Sequence, residues 1–255
     1  MAVANDQKGK WLWPLLVAVL LVGCASSPPP GEPHDPLEGF NRNVYAFNET
    51  VDTYALAPAS RGWTRVTTDG MRQGVHNFFD NLQAPGYILN DILQGKPAGA
   101  GVQTTRFIMN STVGLLGFFD PAEAWLGLEP RSEDFGQTLG VWGVDAGPYL
   151  VLPLLGPSST RDATRYPVAY YTNVLTYVVL DTATFGTLTA VNVVNARTRA
   201  EGAIRARDEA AVDPYVFTRS AYRQFRRNQV YDGEPPLEDD PYSDFFDEWD
   251  EEMAP

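Results

Sequence analysis

The 255-residue sequence predicts a mainly α-helical body with one glycine-rich hairpin or loop and a disordered, acidic C-terminal tail. Three patterns support this fold class. Apolar residues recur at helical spacing over 37–54, four glycines interrupt 135–155, and residues 232–255 hold eleven acidic residues and no basic one. The body, residues 35–231, is long enough for a single domain with its own core.

The first 23 residues have the pattern of an export signal. Lys8 and Lys10 precede an uncharged, mostly apolar run of twelve residues from Trp11 to Val22. A helix of that length measures roughly 18 Å, whereas the hydrocarbon core of a bilayer is roughly 30 Å thick. The run is therefore too short to span a membrane and fits the apolar region of a signal peptide.

A lipid attachment site follows the signal. Residues 21–24, Leu-Val-Gly-Cys, resemble the bacterial lipobox, which implies cleavage between Gly23 and Cys24, an S-linked diacylglycerol and an N-linked acyl chain. Cys24 is the only cysteine, which excludes an intrachain disulfide. In bacterial lipoproteins, an Asp next to the lipidated cysteine resembles a signal for retention in the inner membrane. No Asp follows Cys24, so we expect the protein to be anchored in the outer membrane. Residues 24–34 then form a lipidated, proline-rich linker that reaches roughly 30 Å.

The first body helix is predicted from its start signal and its periodicity. Asp35, Pro36 and Glu38 match an N-cap, a first-turn proline and a capping box. The apolar stripe that follows consists of Leu37, Phe40, Val44, Phe47, Val51 and Tyr54. Further helices are expected over 70–82, 86–94, 98–118, 166–180, 186–210 and 214–228, the last beginning at Asp213-Pro214. The glycines favour a hairpin or loop over a helix in 135–155.

Three stretches of the body are unusually apolar. Residues 107–119 carry no charge, 141–160 carry only Asp145, and 166–196 carry only Asp181. Each uncharged half of the last stretch would form a helix of roughly 22 Å, too short to span a bilayer. Two interpretations remain open: buried core helices of a soluble bundle, or helices that lie in one leaflet or line a lipid-sized cavity.

A basic segment lies at 197–227, with a net charge of +4. Its arginines are Arg197, Arg199, Arg205, Arg207, Arg219, Arg223, Arg226 and Arg227. Guanidinium groups suit phosphate, so phospholipid headgroups or an acidic partner are candidate ligands, while export argues against nucleic acid. The alternative is a solvated helix face that is partly paired with the acidic tail, residues 232–255, whose composition predicts disorder.

Enzyme chemistry finds little support in the sequence. His34 and His76 are the only histidines, and no Gly-x-Ser-x-Gly elbow occurs. One lipidated cysteine and two distant histidines cannot complete a zinc site. Carboxylate pairs such as Asp120 and Glu123 occur in glycan hydrolases but are more common at turns and caps. We therefore expect no enzyme activity, no metal and no cofactor beyond the covalent lipid.

Several blocks of the body resemble the MlaA (VacJ) family of outer-membrane lipoproteins. The blocks are Asp35-Pro-Leu-Glu-Gly-Phe-Asn-Arg42, Tyr45-Ala-Phe-Asn48, Thr105-Arg-Phe-Ile-Met-Asn110, Gly117-Phe-Phe-Asp120, Glu133 through Val144, Gly147-Pro-Tyr149, Leu152-Pro153, Arg161-Asp162 and Asp213-Pro-Tyr215. They extend over about 35–230, which is nearly the whole body.

The resemblance implies a single compact, ring-like helical body embedded in the inner leaflet of the outer membrane and anchored by lipid on the periplasmic side. It implies an amphipathic channel that removes misplaced phospholipids from the outer leaflet. A soluble periplasmic carrier protein would receive them, so that lipid asymmetry is maintained, and trimeric porins are expected partners. A lipidated envelope scaffold that moves no lipid is the alternative function.

Candidate site residues follow from this hypothesis. Residues on or beside the first helical stripe are expected to set the channel opening, namely Asn41, Phe47 and Asn48. A hydrophobic lip is expected from the glycine-rich segment, namely Trp142, Tyr149, Leu150 and Leu152. Arg161 and Asp162 are candidates for the phosphate and the amine of a zwitterionic headgroup. Their alternative role is a structural ion pair at the start of the next helix.

Overall fold

The computed structural model describes residues 35–179 and 181–236, and this part of the chain is mainly helical. The predicted signal peptide, the lipidated linker with Cys24, and residues 237–255 lie outside the described residues. The first half of the body contains α1 (Glu38–Val51), a short π-helix (Asp52–Leu56), α2 (Ala57–Val66), α3 (Asp69–Leu93), α4 (Pro97–Thr112), α5 (Pro121–Leu126) and α6 (Phe135–Val141). The strands β1 (Tyr149–Leu152) and β2 (Gly156–Ser159) follow, and then a short 3-10 helix (Asp162–Thr164). The last helices are α7 (Arg165–Thr172), α8 (Leu175–Val178), α9 (Thr182–Arg199), α10 (Glu201–Ala210) and α11 (Pro214–Val230). Of these helices, none is both long enough and apolar enough to cross a membrane.

The two predicted helix starts have different outcomes. α11 begins as predicted, with Pro214 in its first turn and Asp213 accepting the Tyr215 N–H at 2.9 Å. The capping box predicted for α1 is wrong, because no side chain caps that helix. Asp35 accepts the N–H of Leu37 at 3.1 Å and is buried against the Tyr215 hydroxyl, which also donates to it. The sequence signal therefore marks a tertiary contact rather than a cap.

α3 is one helix of 25 residues, although the sequence predicts two, over 70–82 and 86–94. Pro85 lies inside it, where proline removes one backbone hydrogen bond but does not end the helix. At Gly86 an added Cβ would lie 2.6 Å from Thr172 Oγ1. The Pro-Gly pair therefore allows α7 to pack closely on α3 rather than separating two helices.

The uncharged stretch 107–119 is half helix and half exposed turn, whereas the sequence predicts helix up to 118. α4 ends at Thr112, and Leu115 and Leu116 then adopt positive φ angles of 53° and 61°. Gly117 follows with a φ of 93°. The turn leaves the two leucines 66% and 65% exposed.

The glycine-rich block 135–155 contains the predicted hairpin, which is confirmed as the antiparallel pair β1–β2. It also contains α6, where the prediction of a loop is wrong. Asp134 caps α6 by accepting the Gln137 N–H at 2.9 Å, which compensates for the glycines within it. At Gly136 an added Cβ would lie 2.9 Å from the Arg226 guanidinium, so this glycine lets α11 approach.

The stretch 166–196 forms α7, α8 and most of α9 instead of the predicted helix over 166–180 and the beginning of the one predicted over 186–210. Asp181 begins α9 and caps it by accepting the Thr184 N–H at 2.8 Å. Of the described residues in this stretch, only Leu175 and Asn195 are buried. The interpretation as buried core helices of a soluble bundle is therefore wrong.

Two small apolar clusters join the elements. Phe79 and Leu175 connect α3 to α8, while Tyr149 and Tyr215 connect β1 to α11. α3 also packs along α4, and α2 packs along α9. Because these clusters are small, polar contacts provide much of the remaining packing.

Candidate functional site

The described residues bury more polar than apolar side chains. Eighteen polar or charged residues are buried against nine apolar ones, while twenty-eight large apolar residues are exposed. Water-soluble domains bury most of their large apolar side chains and rarely expose wide apolar patches. The burial is therefore inverted, which suits a body whose outer surface contacts an apolar medium.

The first helical arm shows this inversion within a single stripe. Phe40, Phe47 and Tyr54 lie seven residues apart and are 38%, 50% and 81% exposed. Asn41, next to Phe40, is completely buried. Phe40, Phe47 and Tyr54 therefore face outward, whereas Val44 of the same stripe packs against the cluster under the hairpin. The role of Phe47 in setting a channel opening stays a prediction.

Asn41 and Asn48 lie two turns apart on α1 and bind the free edge of β1. The Asn41 amide donates to the Tyr149 carbonyl at 2.9 Å and accepts from the Val151 N–H at 2.8 Å. Asn48 donates to the Leu152 carbonyl at 3.0 Å. These bonds satisfy backbone groups that an edge strand would otherwise leave unpaired. We call Asn41 and Asn48 the hairpin clamp.

Arg161 and Asp162 belong to a buried ion-pair network with α11. Asp162 is 1% exposed and accepts two bonds from Arg226 at 3.0 Å, one from Arg161 at 3.0 Å and one from the Tyr222 hydroxyl at 2.7 Å. Burial alone would raise the pKa of Asp162, but the hydrogen bonds and charge of Arg226 lower it far below its ordinary value. This geometry matches the alternative of a structural ion pair and leaves no open position for an amine at Asp162.

The structure separates the four residues of the predicted lip. Trp142 is exposed and donates to a carbonyl of α3, while Leu150 and Leu152 are half-buried. Tyr149 is 1% exposed inside the aromatic cluster under the hairpin, so its assignment to a lip is wrong. The apolar tip of the hairpin is the exposed pair of leucines at 154–155, which sequence reasoning missed because it did not locate the turn.

Four cavities follow α3 and its neighbours and share lining residues where they meet. The first, about 640 Å³, meets the second, about 220 Å³, at Gln73 and Arg199. The second meets the third, about 320 Å³, at Tyr87. The third meets the fourth, about 580 Å³, at Arg226. We call this series of adjacent cavities, which runs from the α2–α9 groove to the hairpin, the cavity chain.

The second cavity is the most polar part of the cavity chain. Asp80 accepts the Tyr87 hydroxyl at 2.8 Å, and Arg106 pairs with Asp120 at 2.6 Å. Burial raises the pKa of Asp80, which the bond from Tyr87 partly offsets, and burial lowers the pKa of His76. The raised pKa of Asp80 and the lowered pKa of His76 both favour the neutral form of the side chain. The wall of the second cavity therefore consists of paired or neutral polar groups, which suit a hydrated interior.

Two acceptors near the end of α3 lack partners among the described residues, Asp91 Oδ2 and Gln94 Oε1. Asp91 is 1% exposed. Burial, together with the charge of Glu133, raises the pKa of Asp91 to about 6. Glu133 itself is paired with Lys96 at 3.3 Å. The charged form of Asp91 is therefore disfavoured in the fold.

The arginines at 197–227 are mostly paired with carboxylates of the body. Arg197 pairs with Asp52 at 2.5 Å and Arg207 with Glu49 at 2.8 Å, which ties α9 and α10 to the first helical arm. These two guanidinium groups are therefore occupied, whereas Arg199 bonds to the neutral Gln73 Oε1 at 2.6 Å. Binding of phosphate or of an acidic partner by the segment stays a prediction. The carboxylates in these two pairs belong to the body. Pairing with the acids of 237–255 stays a prediction, because those residues lie outside the described part of the chain.

The folded body extends at least to Asp232, which the sequence places in the tail. Asp232 pairs with Lys96 at 2.6 Å and with Arg131 at 2.9 Å. The prediction of disorder therefore concerns the residues beyond it. Most of these, 237–255, lie outside the described part of the chain.

The carboxylate pair considered for hydrolysis has a structural position. Asp120 caps α5 by accepting the Glu123 N–H at 3.0 Å. Within the ranges 35–179 and 181–236, no group of three or more His, Cys, Asp or Glu side chains is placed to hold a metal ion.

Comparison with known proteins identifies relatives over most of the chain. A family profile described as MlaA lipoprotein matches residues 33–229. The intermembrane phospholipid transport system lipoprotein MlaA of Escherichia coli (strain K12) is 36% identical over 214 residues, which cover 82% of this chain and 84% of that protein. The protein of the same name from Haemophilus influenzae is 35% identical over 228 residues, 86% of this chain and 89% of that protein.

A solved structure is similar as well. The chain, from work on the structural basis for maintenance of bacterial outer membrane lipid asymmetry, superposes with a TM-score of 0.68 and 30% sequence identity. The match covers 78% of this chain and all of the other chain. The likeness therefore extends to the arrangement of the described helices and hairpin.

Proposed function

Because this chain belongs to the MlaA lipoprotein family, we propose that it is the outer-membrane lipoprotein of an intermembrane phospholipid transport system. It removes misplaced phospholipids from the outer leaflet and passes them to a soluble periplasmic carrier protein, which maintains lipid asymmetry. The observation that carries this proposal is the inverted burial, in which large apolar side chains are exposed and polar side chains are buried beside the adjacent cavities of the cavity chain. A phospholipid needs both a polar route for its headgroup and an apolar medium for its chains.

We place the body as a ring in the inner leaflet of the outer membrane. Exposed apolar side chains such as Phe47, Leu116 and Leu154 support this position, since burying apolar surface contributes about 25 cal/mol per Å². Because the described helices do not meet the length and hydropathy needed to span, they suit one leaflet. Trimeric porins are proposed partners of this ring.

The lipid on Cys24 holds the body at the periplasmic side of the membrane. The twelve-residue apolar run and the lipobox support this proposal. Cys24→Ala should give an unprocessed precursor that fails to reach the outer membrane. Intact mass of the wild-type protein should show an acylated N-terminal cysteine, and a chain that begins at Met1 with a free thiol would contradict the anchor.

Arg161 lies on the fourth cavity and remains our candidate for contact with a headgroup phosphate. Asp162 orients Arg161 through the 3.0 Å ion pair. If both Arg161→Ala and Asp162→Ala leave lipid transport at the wild-type level per folded molecule, the headgroup role is wrong.

The transport proposal is tested in cells by the amount of phospholipid in the outer leaflet. Deleting the gene should increase the phospholipid that an externally added lipid-modifying enzyme can reach. Re-expression of the wild-type chain should reverse the increase. A lipidated scaffold without transport activity predicts an unchanged signal, so this result would favour the scaffold.

A further inference from the structure

The outer end of the cavity chain is a groove between α2, the start of α3 and the end of α9. Its basic residues are Arg61, Arg65, Arg72 and Arg199. Arg61 and Arg65 lie one helical turn apart on α2, so their side chains project from the same face. We call this the arginine groove.

The positive charge of the arginine groove is only partly neutralised. Arg61 and Arg65 make no hydrogen bond or ion pair with any described residue, and the bond found for Arg199 is to the neutral Gln73 Oε1 at 2.6 Å. The two carboxylates of the groove are paired with arginines other than Arg61, Arg65 and Arg199. Asp69 pairs with Arg72, and Glu201 pairs with Arg197 at 2.6 Å. Among the described residues, three guanidinium groups of the groove therefore have no carboxylate partner.

We infer that the arginine groove binds the phosphate of an anionic phospholipid headgroup where lipid enters or leaves the cavity chain. This inference rests on the proposed transport function. Guanidinium groups match phosphate oxygens in shape and charge. Because the groove has no unpaired carboxylate, it favours an anionic glycerol headgroup over a headgroup that carries an amine.

Continuity with the interior favours a lipid over an acidic protein. Gln73 and Arg199 line both the groove and the second cavity, so a phosphate bound at Arg199 lies at the entrance to the interior. An acidic protein surface would need only the open groove. The ligand chemistry is a phosphate oxyanion, which a lipid headgroup shares with free phosphate.

The test uses the full-length, lipidated protein in detergent, incubated with mixed micelles of equal amounts of phosphatidylglycerol and phosphatidylethanolamine. The bound lipids are extracted, and both their total and their ratio are measured. Wild-type protein should be enriched in phosphatidylglycerol. Each of R61Q and R65Q should reduce the enrichment about fivefold, and R61K/R65K should keep most of it.

R131Q is the control, because Arg131 is a partly exposed arginine outside the groove and pairs with Asp232 rather than with a groove carboxylate. It should leave the ratio unchanged. A second arm titrates inorganic phosphate alone and follows it by ³¹P NMR, with the same variants. Binding of inorganic phosphate that depends on Arg61 and Arg65, combined with an unchanged lipid ratio, would make the groove a free-phosphate site and overturn the inference.

The outcomes separate this inference from the proposed function. Normal total lipid with a ratio that R61Q/R65Q does not change overturns the arginine groove alone and leaves transport standing. If the lipid ratio is unchanged and R61Q/R65Q instead loses binding to an acidic protein, the groove is assigned to a protein partner. Absence of any bound phospholipid in wild-type protein overturns both proposals.

Discussion

The hairpin region and the end of α3 are both polar and buried, but they differ in how completely their carboxyl groups are paired. Around the hairpin, Asn41 binds both backbone groups that face it, and Asp162 receives bonds from three side chains. At the end of α3, Asp91 is 1% exposed and its Oδ2 has no partner among the described residues. The comparison teaches that a buried carboxyl group stabilises the fold where its hydrogen bonds are complete and destabilises it where they are not.

The largest effect is expected in the hairpin region, at Asp162. Asp162→Ala leaves the buried Arg226 without one of its two carboxylate partners, which should cost about 3–5 kcal/mol in the free energy of unfolding. Urea unfolding of detergent-solubilised protein, followed by circular dichroism, measures it. The exposed Asp145→Ala is the matched control and should change stability by less than about 0.5 kcal/mol. A similar loss for both variants would remove the distinction between the two regions.

The hairpin clamp should give the next largest effect. Asn41→Ala leaves the Tyr149 carbonyl and the Val151 N–H buried and unpaired, which should cost about 2–3 kcal/mol. Asn43, exposed on the same helix, binds only the carbonyl of Gly39, so Asn43→Ala is the control. Hydrogen exchange at the Val151 amide should accelerate in the first variant only. Unchanged protection there would show that α1 does not hold the hairpin.

The end of α3 predicts the opposite sign, because the incompletely paired carboxyl group of Asp91 destabilises the fold. The pKa of Asp91 is raised from its ordinary value of 3.8 to about 6, so the folded protein holds a proton that the unfolded chain has lost between about pH 4 and 6. Stability should therefore fall as pH rises through that window and stay lower above it. Asp91→Asn should flatten this dependence and raise stability at pH 7.5 by about 1 kcal/mol, after solvent screening. A destabilised Asp91→Asn protein would contradict the raised pKa.

The smallest effect on folding is expected at the outward stripe. Phe47→Ser should change stability in detergent by less than about 0.5 kcal/mol, because the side chain is half exposed. The neighbouring Asn48→Ala should cost about 1 kcal/mol, because it breaks a clamp bond. In cells we expect changes at Phe47-Asn48 to alter lipid flux or its direction at constant protein level. A large loss of stability for Phe47→Ser would show that the stripe packs inward.

The helical class and the hairpin could be predicted from sequence, but the direction of burial could not. The spacing of Phe40, Phe47 and Tyr54 is the same whether the stripe faces a core or a lipid, since periodicity reports only that one face is apolar. Helix boundaries failed where tertiary contacts decide. Pro85 is accommodated within α3, and the helix predicted over 186–210 is divided at Ala200 between α9 and α10.

The candidate site was also predicted only in part, because tertiary contacts decide which residues line it. Sequence blocks drew attention to Asn41, Asn48 and Asp162, whose side chains are hydrogen-bonded within the hairpin region. Arg61 and Arg65 were not singled out, although their i, i+4 spacing on a helix was a readable signal. Cavities arise where distant elements fail to fill space, and no local pattern encodes that.

The most direct test of the central claim is to count phospholipid phosphorus bound to the purified, full-length protein. The lipid on Cys24 would contribute acyl chains but no phosphate, so phosphorus reports only lipid held by the body. If the cavity chain handles phospholipid, extensively washed protein should retain about one phosphorus per chain, and a bulky substitution in the second cavity, Ala84→Trp, should reduce it. Wild-type protein without phosphorus, or Ala84→Trp protein that folds and keeps its full amount, would contradict the account.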